Sequence, residues 1–578
     1  MFRGLDMVKL LMLEAFDHKT RMPLSLTCPS ISAKRRTAIC RIGILAVLIL
    51  LVISTRLYPL SISQYPFNND AVGECRIASD IIASGHMDFP DDRYYTDSHS
   101  VITPAYNILL AFTASVIDVS TFDIAQITIA IASVITVIGA YLIAFRMTGS
   151  RCGAISAAMV LSLFGTFVYL TGSGWKEALG VAFMILLLMA YINRSERRMI
   201  FLEIAILAML PLVHHLIAVV AYMGLAYLTG WSVFVALLSR NLHRRHAVDV
   251  IILAILSFAT LLYYRYRQLD GLDYVDTASG ALSMIVSFLV LLGLTTLLFA
   301  RRKHTSLSFA PIPAIALLCL FIWNHFNPLF PYDRGELSYV LLLGFIMCYL
   351  IALAWRGFEI SLRENTRYRL IPFGILLPVL TIFLFALMSG FDLDAHKILY
   401  RTFDLADISL AFGISVVVAS MPERSRRRKF IVAGLIIGLV ASFPFGYATG
   451  TLVGVRHDTQ EYEVNTIEWV YVHAGATSIL QSDERLAYNA MVLYDYEKNP
   501  GLPLALSEER LPRQNVFNVF LEEWTEVGVS IFPYGYHVLN ETFALTALSA
   551  SNVFYVGGPV SNNIVVFCVS FFGSDTVF

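Results

Sequence analysis

Thirteen long apolar runs constrain this chain more than any other feature. They lie near 42–58, 122–145, 152–170, 178–192, 199–213, 216–237, 247–264, 281–300, 309–325, 338–355, 370–388, 406–421 and 430–448. About 20 mostly apolar residues cross a bilayer as a helix. The expected product is therefore an α-helical polytopic membrane protein with thirteen spans. Composition agrees. Of 578 residues, 57% are hydrophobic and 15% charged, with a mean hydropathy of +0.67. A net charge of -1 exerts no overall pull toward nucleic acid.

Charge between the runs orients them. Lys and Arg concentrate in cytoplasmic segments. With the N-terminus inside, the inner segments include Lys34-Arg35-Arg36, Arg146 with Arg151, Arg194 with Arg197-Arg198, Arg240 with Arg244-Arg245, Arg301-Arg302-Lys303, Arg356 to Arg369, and Arg424 to Lys429. The inner segments hold 28 Lys and Arg and the outer loops eight. Val101 to Ile117 is apolar enough to be a further span, but counting it would place the Arg194 cluster and those after it outside. Pro104 to Ile117 is therefore expected to lie in, or dip into, the outer leaflet.

The same count divides the chain into a cytoplasmic tail (1–41), a membrane domain (42–449) with a large first outer loop (59–121), and an extracytoplasmic domain (450–578). The first run lacks a clear cleavage site and reads as a retained signal anchor. The multi-pass protein is expected in the cell membrane, or the endoplasmic reticulum membrane in a eukaryote. The last domain reads as a small α/β unit. Glu461 to His473 is helical in pattern, and Ser478 to Asp483, Val553 to Gly558 and Ile564 to Phe571 read as strands. The seven cysteines form no CxxC, so neither a disulfide framework nor a zinc site is expected. Only Cys75 and Cys568 would face outward as a pair able to bridge.

Unusual polar residues collect on the outer side. Asp70 and Glu74 follow the first span, four apart, and share a face if a helix starts there. A partly desolvated carboxylate can act as a base toward a hydroxyl; alternatively, Asp70 caps a surface helix after Asn68-Asn69. In the short second loop, Lys176 can bind a phosphate and Glu177 a metal or a sugar hydroxyl; otherwise Trp175-Lys176-Glu177 is an interfacial anchor with an internal ion pair. His214-His215 stands between two spans, where polar groups are costly. On a helix the two rings would point apart. Asp333 and Arg334 are candidate substrate contacts. Lys397 and Arg401 stand before the twelfth span, where Arg401 can clamp a phosphate or pair with Asp404. If a divalent cation, Mg or Mn, takes part, Asp70 and Glu177 are the candidate ligands. No cofactor is required by these residues.

The order of these parts resembles the GT-C superfamily of lipid-dependent glycosyltransferases. An acidic residue follows the first span (Asp70, with Glu74 close by). A proline-aromatic-apolar stretch, Pro104 to Ala111, precedes the second span, and Arg146 to Arg151 makes a basic turn after it. A short second outer loop carries an acid, Glu177, and a late Arg401 marks a span's outer end. The resemblance covers 42–450 in architecture and implies transfer of a hexosyl or pentosyl unit. The donor would be a polyprenyl or dolichyl phosphate sugar, and the acceptor a hydroxyl on a glycan, lipid or protein of the cell envelope. It implies Asp70 as base, Lys176 and Arg401 (with Lys397) at the leaving phosphate, and Glu177, His214 and His215 shaping the pocket. Thirteen spans plus an outer domain look most like the oligosaccharyltransferase catalytic subunit. Its Trp-Trp-Asp motif is absent, however; the nearest strings are Glu468-Trp469-Val470 and Glu523-Trp524-Thr525. Transfer of a single sugar therefore fits better than protein glycosylation with a whole glycan. A lipid-linked glycan flippase or transporter would be expected to show matching halves, which the sequence lacks.

Overall fold

The computed structural model describes residues 31–87, 102–238, 244–266, 278–301, 311–326, 337–363, 370–388, 393–447 and, with short breaks, 458–569. Among the described residues, each of the thirteen apolar runs is helical, 152–170 in two pieces. The first is α1 (Ile31–Leu57), and the first loop follows with α2 (Asn69–Ser84) and α3 (Ala105–Ile117). The bundle continues through α4 (Thr121–Thr148), α5 (Arg151–Leu163), α6 (Gly165–Gly172), α7 (Glu177–Ile192), α8 (Arg197–Val213), α9 (His215–Leu238), α10 (Arg244–Tyr266) and α11 (Ala278–Arg301). Then come α12 (Pro311–Phe326), α13 (Leu337–Arg363), α14 (Ile371–Met388), α15 (Leu393–Ser420) and α16 (Arg426–Ser442). Among the described residues, seven helices have the length and apolarity to cross a membrane, or eight if a bent pair is one span.

Caps fix several boundaries. Asn68 caps α2, and Gly85, in the left-handed region at φ 75°, ends it. Ser120 caps α4 and Ser150 caps α5 through their side chains. The stretch 152–170, read as one span, is instead two helices bent by 62°. The chain breaks at Phe164 because Gly165 lies against the end of α16. A Cβ on Gly165 would stand 2.0 Å from the Ser442 carbonyl oxygen, and the Gly165 N–H is satisfied by Ser442 Oγ at 3.2 Å.

Both ends of the break are matched electrostatically. Arg56, completely buried in the last turn of α1, donates to the Leu161 and Ser162 carbonyls, which the break leaves without helical partners. It also donates to Thr171 Oγ1 at 2.9 Å. On the other side, Asp407 of α15 accepts from Thr166 in the first turn of α6.

Helix α3 is 13 residues long, about 20 Å at 1.5 Å per residue, too short to cross. Tyr106, Leu110, Ala111 and Ala114 pack it into a cluster with α2 and α4. Phe112 and Val116 on its other face are 67% and 68% exposed. It therefore has the length and the outward apolar face of a helix lying in a leaflet.

The last domain carries a four-stranded sheet in the order β1 (Leu480–Gln481), β2 (Phe517–Leu521), β4 (Ile564–Cys568), β3 (Asn552–Gly557). Strands β1 and β2 are parallel and the other pairs antiparallel. Helices α17 (Glu461–Ala474) and α18 (Glu484–Tyr494) lie beside it, with Ile467, Val470, Leu486 and Ala490 sharing a core with Val519, Val566 and Phe567. Cys75 and Cys568 are both free thiols, so the bridge the layout allowed is not made.

Candidate active site at one end of the bundle

The elements expected outside meet at one end of the molecule. Asp70 lies in the first turn of α2, where its N–H bonds Asn68 Oδ1 at 2.9 Å, and its side chain is exposed. Asn68, rather than Asp70, is thus the cap. One turn on, Glu74 is buried and forms an ion pair with Lys176 at 2.8 Å. Lys176 also donates to Thr103 Oγ1 at 3.0 Å. The two carboxylates share a helix face, but one is open to solvent and the other is neutralised inside the protein.

The second loop is seated directly on α2. Gly174 is in the left-handed region at φ 93°, and a Cβ there would approach Ala71 Cβ to 2.8 Å. Tyr106 of α3 donates to the Gly174 carbonyl at 3.2 Å. Burial, with Cys75, Glu74 and Glu177 adding to it, holds the Tyr106 phenol well above the ordinary range, so it stays a donor.

Glu177 opens α7 and meets His214 Nε2 at 2.9 Å. His214 sits between α8 and α9 in extended backbone, φ −159° and ψ 120°. Its Nδ1 accepts the Ile217 N–H at 3.3 Å, capping α9. On the neutral ring the proton therefore sits on Nε2, facing Glu177. The two histidines do not point apart, as helical geometry would require. Because His214 has left the helix, the rings stack at 4.9 Å. The adjoining end of α10 joins the group through Tyr263, which donates to the Ile102 carbonyl at 2.6 Å.

Lys397 and Arg401 lie on α15, with their side chains outside the described residues. Asp333 and Arg334 also lie outside the described residues. Asp407, further along the same helix, accepts from Thr166, which sets α15 against the first turn of α6. Among the described residues, no three His, Cys, Asp or Glu are grouped to hold a metal ion, and the Glu177 carboxylate is engaged by His214.

The soluble domain caps this end. Ser63 donates to the Thr459 carbonyl at 3.3 Å, and Thr459 Oγ1 donates to Asn69 Oδ1 at 2.8 Å, next to Asp70. Arg76 reaches the Leu493 carbonyl at 3.3 Å. Behind Thr459, the Asp458 carbonyl accepts from Arg485 at 2.9 Å, and Arg485 is forked onto buried Glu463. Arg56, Asp407 and Thr459 belong to this assembly but were not singled out from the sequence. A lone Arg in the last turn of an apolar run was the available signal for the first.

A solved structure has a similar fold. The Archaeoglobus fulgidus oligosaccharyltransferase, complexed with Zn and sulfate, superposes with a TM-score of 0.50 at 11% identity, over 91% of this chain and 73% of that one. This chain shares the fold of that oligosaccharyltransferase. Two other solved structures are similar at lower scores. The mycobacterial arabinofuranosyltransferase AftD gives a TM-score of 0.45 at 14% identity, over 92% of this chain and 40% of that one. ArnT from Cupriavidus metallidurans, bound to undecaprenyl phosphate, gives 0.39 at 12% identity, over 91% and 97%. No protein-family model and no curated protein matches the sequence.

Proposed function

We propose that the chain is a membrane glycosyltransferase, moving one sugar from a polyprenyl-phosphate donor to an acceptor hydroxyl at the extracytoplasmic face. The observation that carries this reading is the contrast between Asp70 and Glu74. Within a GT-C fold, the helix after the first span presents one exposed carboxylate beside a second that is buried and ion-paired. A base must reach its substrate and accept a proton. Asp70 is placed for that, whereas Glu74, neutralised by Lys176, holds the second loop against the first.

In this route Asp70 takes the proton of the acceptor hydroxyl as its oxygen attacks the anomeric carbon and the bond to the carrier phosphate breaks. Negative charge grows on that phosphate, and cations pre-placed there lower the barrier. Arg401 and Lys397, one turn apart on α15, are assigned that role. Lys176 contributes through the Glu74 pair and Thr103 as a positioning group. Glu177 and His214 set the floor of the pocket.

Replacing Asp70 by Asn, with protein levels in the membrane unchanged, is expected to abolish transfer. Mass spectrometry of glycans from a deletion strain complemented with this variant should show a glycan short by one unit and accumulation of the free lipid-phosphate sugar. Full-length glycan with Asp70→Asn would remove Asp70 from the mechanism. The bent pair α5–α6 favours a second reading, since broken helices mark transporters. A flippase would instead leave untransferred lipid-linked sugar on the inner leaflet of vesicles.

A further inference from the structure

The seam between the first outer loop and the soluble domain gathers aromatic rings and carboxylates that the route above does not use. Tyr65, five residues before Asp70, meets Phe122 edge-on at 5.6 Å. From the domain, Tyr471 of α17 and Tyr494 of α18 pair at 5.2 Å, and Tyr471 meets Tyr496 at 6.4 Å. Tyr65 lines a small cavity with Asp458, Thr459 and Gln460, directly before Glu461 at the start of α17, and Arg76 of α2 donates to the Leu493 carbonyl beside Tyr494, so the loop ring and the domain rings share one seam. On α17, positions 461, 468 and 471 follow the spacing of one helix face.

This group is open. Tyr471 is 40% exposed, Tyr65 and Tyr494 are half-buried, and Glu461 and Glu468 are exposed. Burial first, and Glu468 second, raise the Tyr65 and Tyr494 phenols above their ordinary range; burial and Tyr471 push Tyr496 up to about 12. The hydroxyls therefore stay protonated at physiological pH and keep their donor protons.

Ring faces beside carboxylates suit a sugar. The C–H face of a pyranose or furanose lies on an aromatic ring, and its hydroxyls donate to carboxylates and accept from phenols. Aromatic residues at a membrane surface also meet lipid headgroups, but Glu461 and Glu468 repel an anionic phosphate. Thr459, at the edge of the same seam, is bonded to Asn69, the residue before Asp70.

We propose that this seam is a saccharide subsite, in which Tyr65, Tyr471, Tyr494 and the Glu461 and Glu468 carboxylates hold the terminal sugars of a glycan acceptor and lead its hydroxyl toward Asp70. The assignment of the bound glycan as acceptor rests on the transferase reading; the binding itself does not.

The test uses the purified full-length chain in lipid nanodiscs. Linear manno- and arabino-oligosaccharides serve as probes, read by saturation-transfer difference NMR. The wild type is expected to bind at least one series. Tyr471→Ala and Tyr494→Ala should each weaken that binding by about three- to tenfold, the scale of one aromatic contact. Tyr494→Phe should keep most of it, with an unchanged melting temperature. Binding of neither series, or equal binding in wild type and both alanine variants, overturns the subsite. So does protection of these tyrosines by phosphatidylglycerol vesicles without saccharide binding. Asp70→Asn separates the two ideas. Retained saccharide binding with lost transfer supports both, whereas retained transfer removes the base and leaves the binding result standing.

Discussion

At the scale of single residues, burial rather than identity separates the carboxylates. Glu74 and Lys176 have side chains only 4% and 9% exposed and are 2.8 Å apart. Removing one partner of such a pair strands a buried charge, at a cost of about 3–5 kcal/mol. Glu74→Gln and Lys176→Met should each lower the melting temperature of the purified protein strongly. The double variant should be less destabilised than the sum; additivity would mean that the pair is not coupled. Asp483, which caps α18 through Leu486 N at 2.7 Å, makes a pH prediction. Burial outweighs nearby Arg485 and lifts its carboxyl from 3.8 to about 6. The folded state therefore favours the protonated form. This contribution is fully present below pH 4 and is lost as pH rises through 6, by at most about 3 kcal/mol. Hydrogen-exchange protection of α18 should fall over that window, and Asp483→Asn, which keeps a capping side chain, should flatten the fall. The sequence made Asp70 and Glu74 visible as a pair on one face. It could not rank them, because their difference arises from Lys176 and Thr103, far away along the chain.

At the scale of elements, apolar runs and caps carried most of the information. The run 105–117 stops at 13 residues, short of the length a span needs, and exposes Phe112 and Val116, in keeping with the charge count that set it aside. The break at Phe164 was not legible, because an isolated Gly165 is common within an apolar run. It breaks the helix here because α16 presents its Ser442 carbonyl at that point, with Arg56 and Asp407 meeting the two exposed helix ends. Gly165→Ala must displace that backbone. It should cost about 1–3 kcal/mol and lower the melting temperature, while Gly43→Ala, with open space around it, should leave it unchanged. Equal effects of the two would show that the close approach carries no weight. The histidine pair teaches the same lesson. Adjacent rings stack because one of them lies outside the helix and caps the next.

At the scale of the whole molecule, the ends assigned to one side by Lys and Arg do meet at one end. Glu74 reaches Lys176, Glu177 reaches His214, and Thr459 reaches Asn69. Orientation in the membrane can be checked with a membrane-impermeant maleimide. In intact cells, a cysteine introduced at exposed His473 should be labelled at once, whereas exposed Cys152, at the start of α5, should react only after permeabilisation. Labelling of both from the same side would overturn the orientation. By itself the sequence determined that the chain is mostly helical, where its apolar helices lie, and that a small sheet follows them. These follow from local hydropathy, charge and capping, which act over a few turns of chain. Only the tertiary structure decided that Asp70 is open while Glu74 is locked, that a span is broken, that Glu177 holds His214, and that the soluble domain presses Thr459 against the start of the Asp70 helix. Those outcomes depend on which groups meet across tens to hundreds of residues, and the desolvation and pairing that result set the chemistry of each side chain.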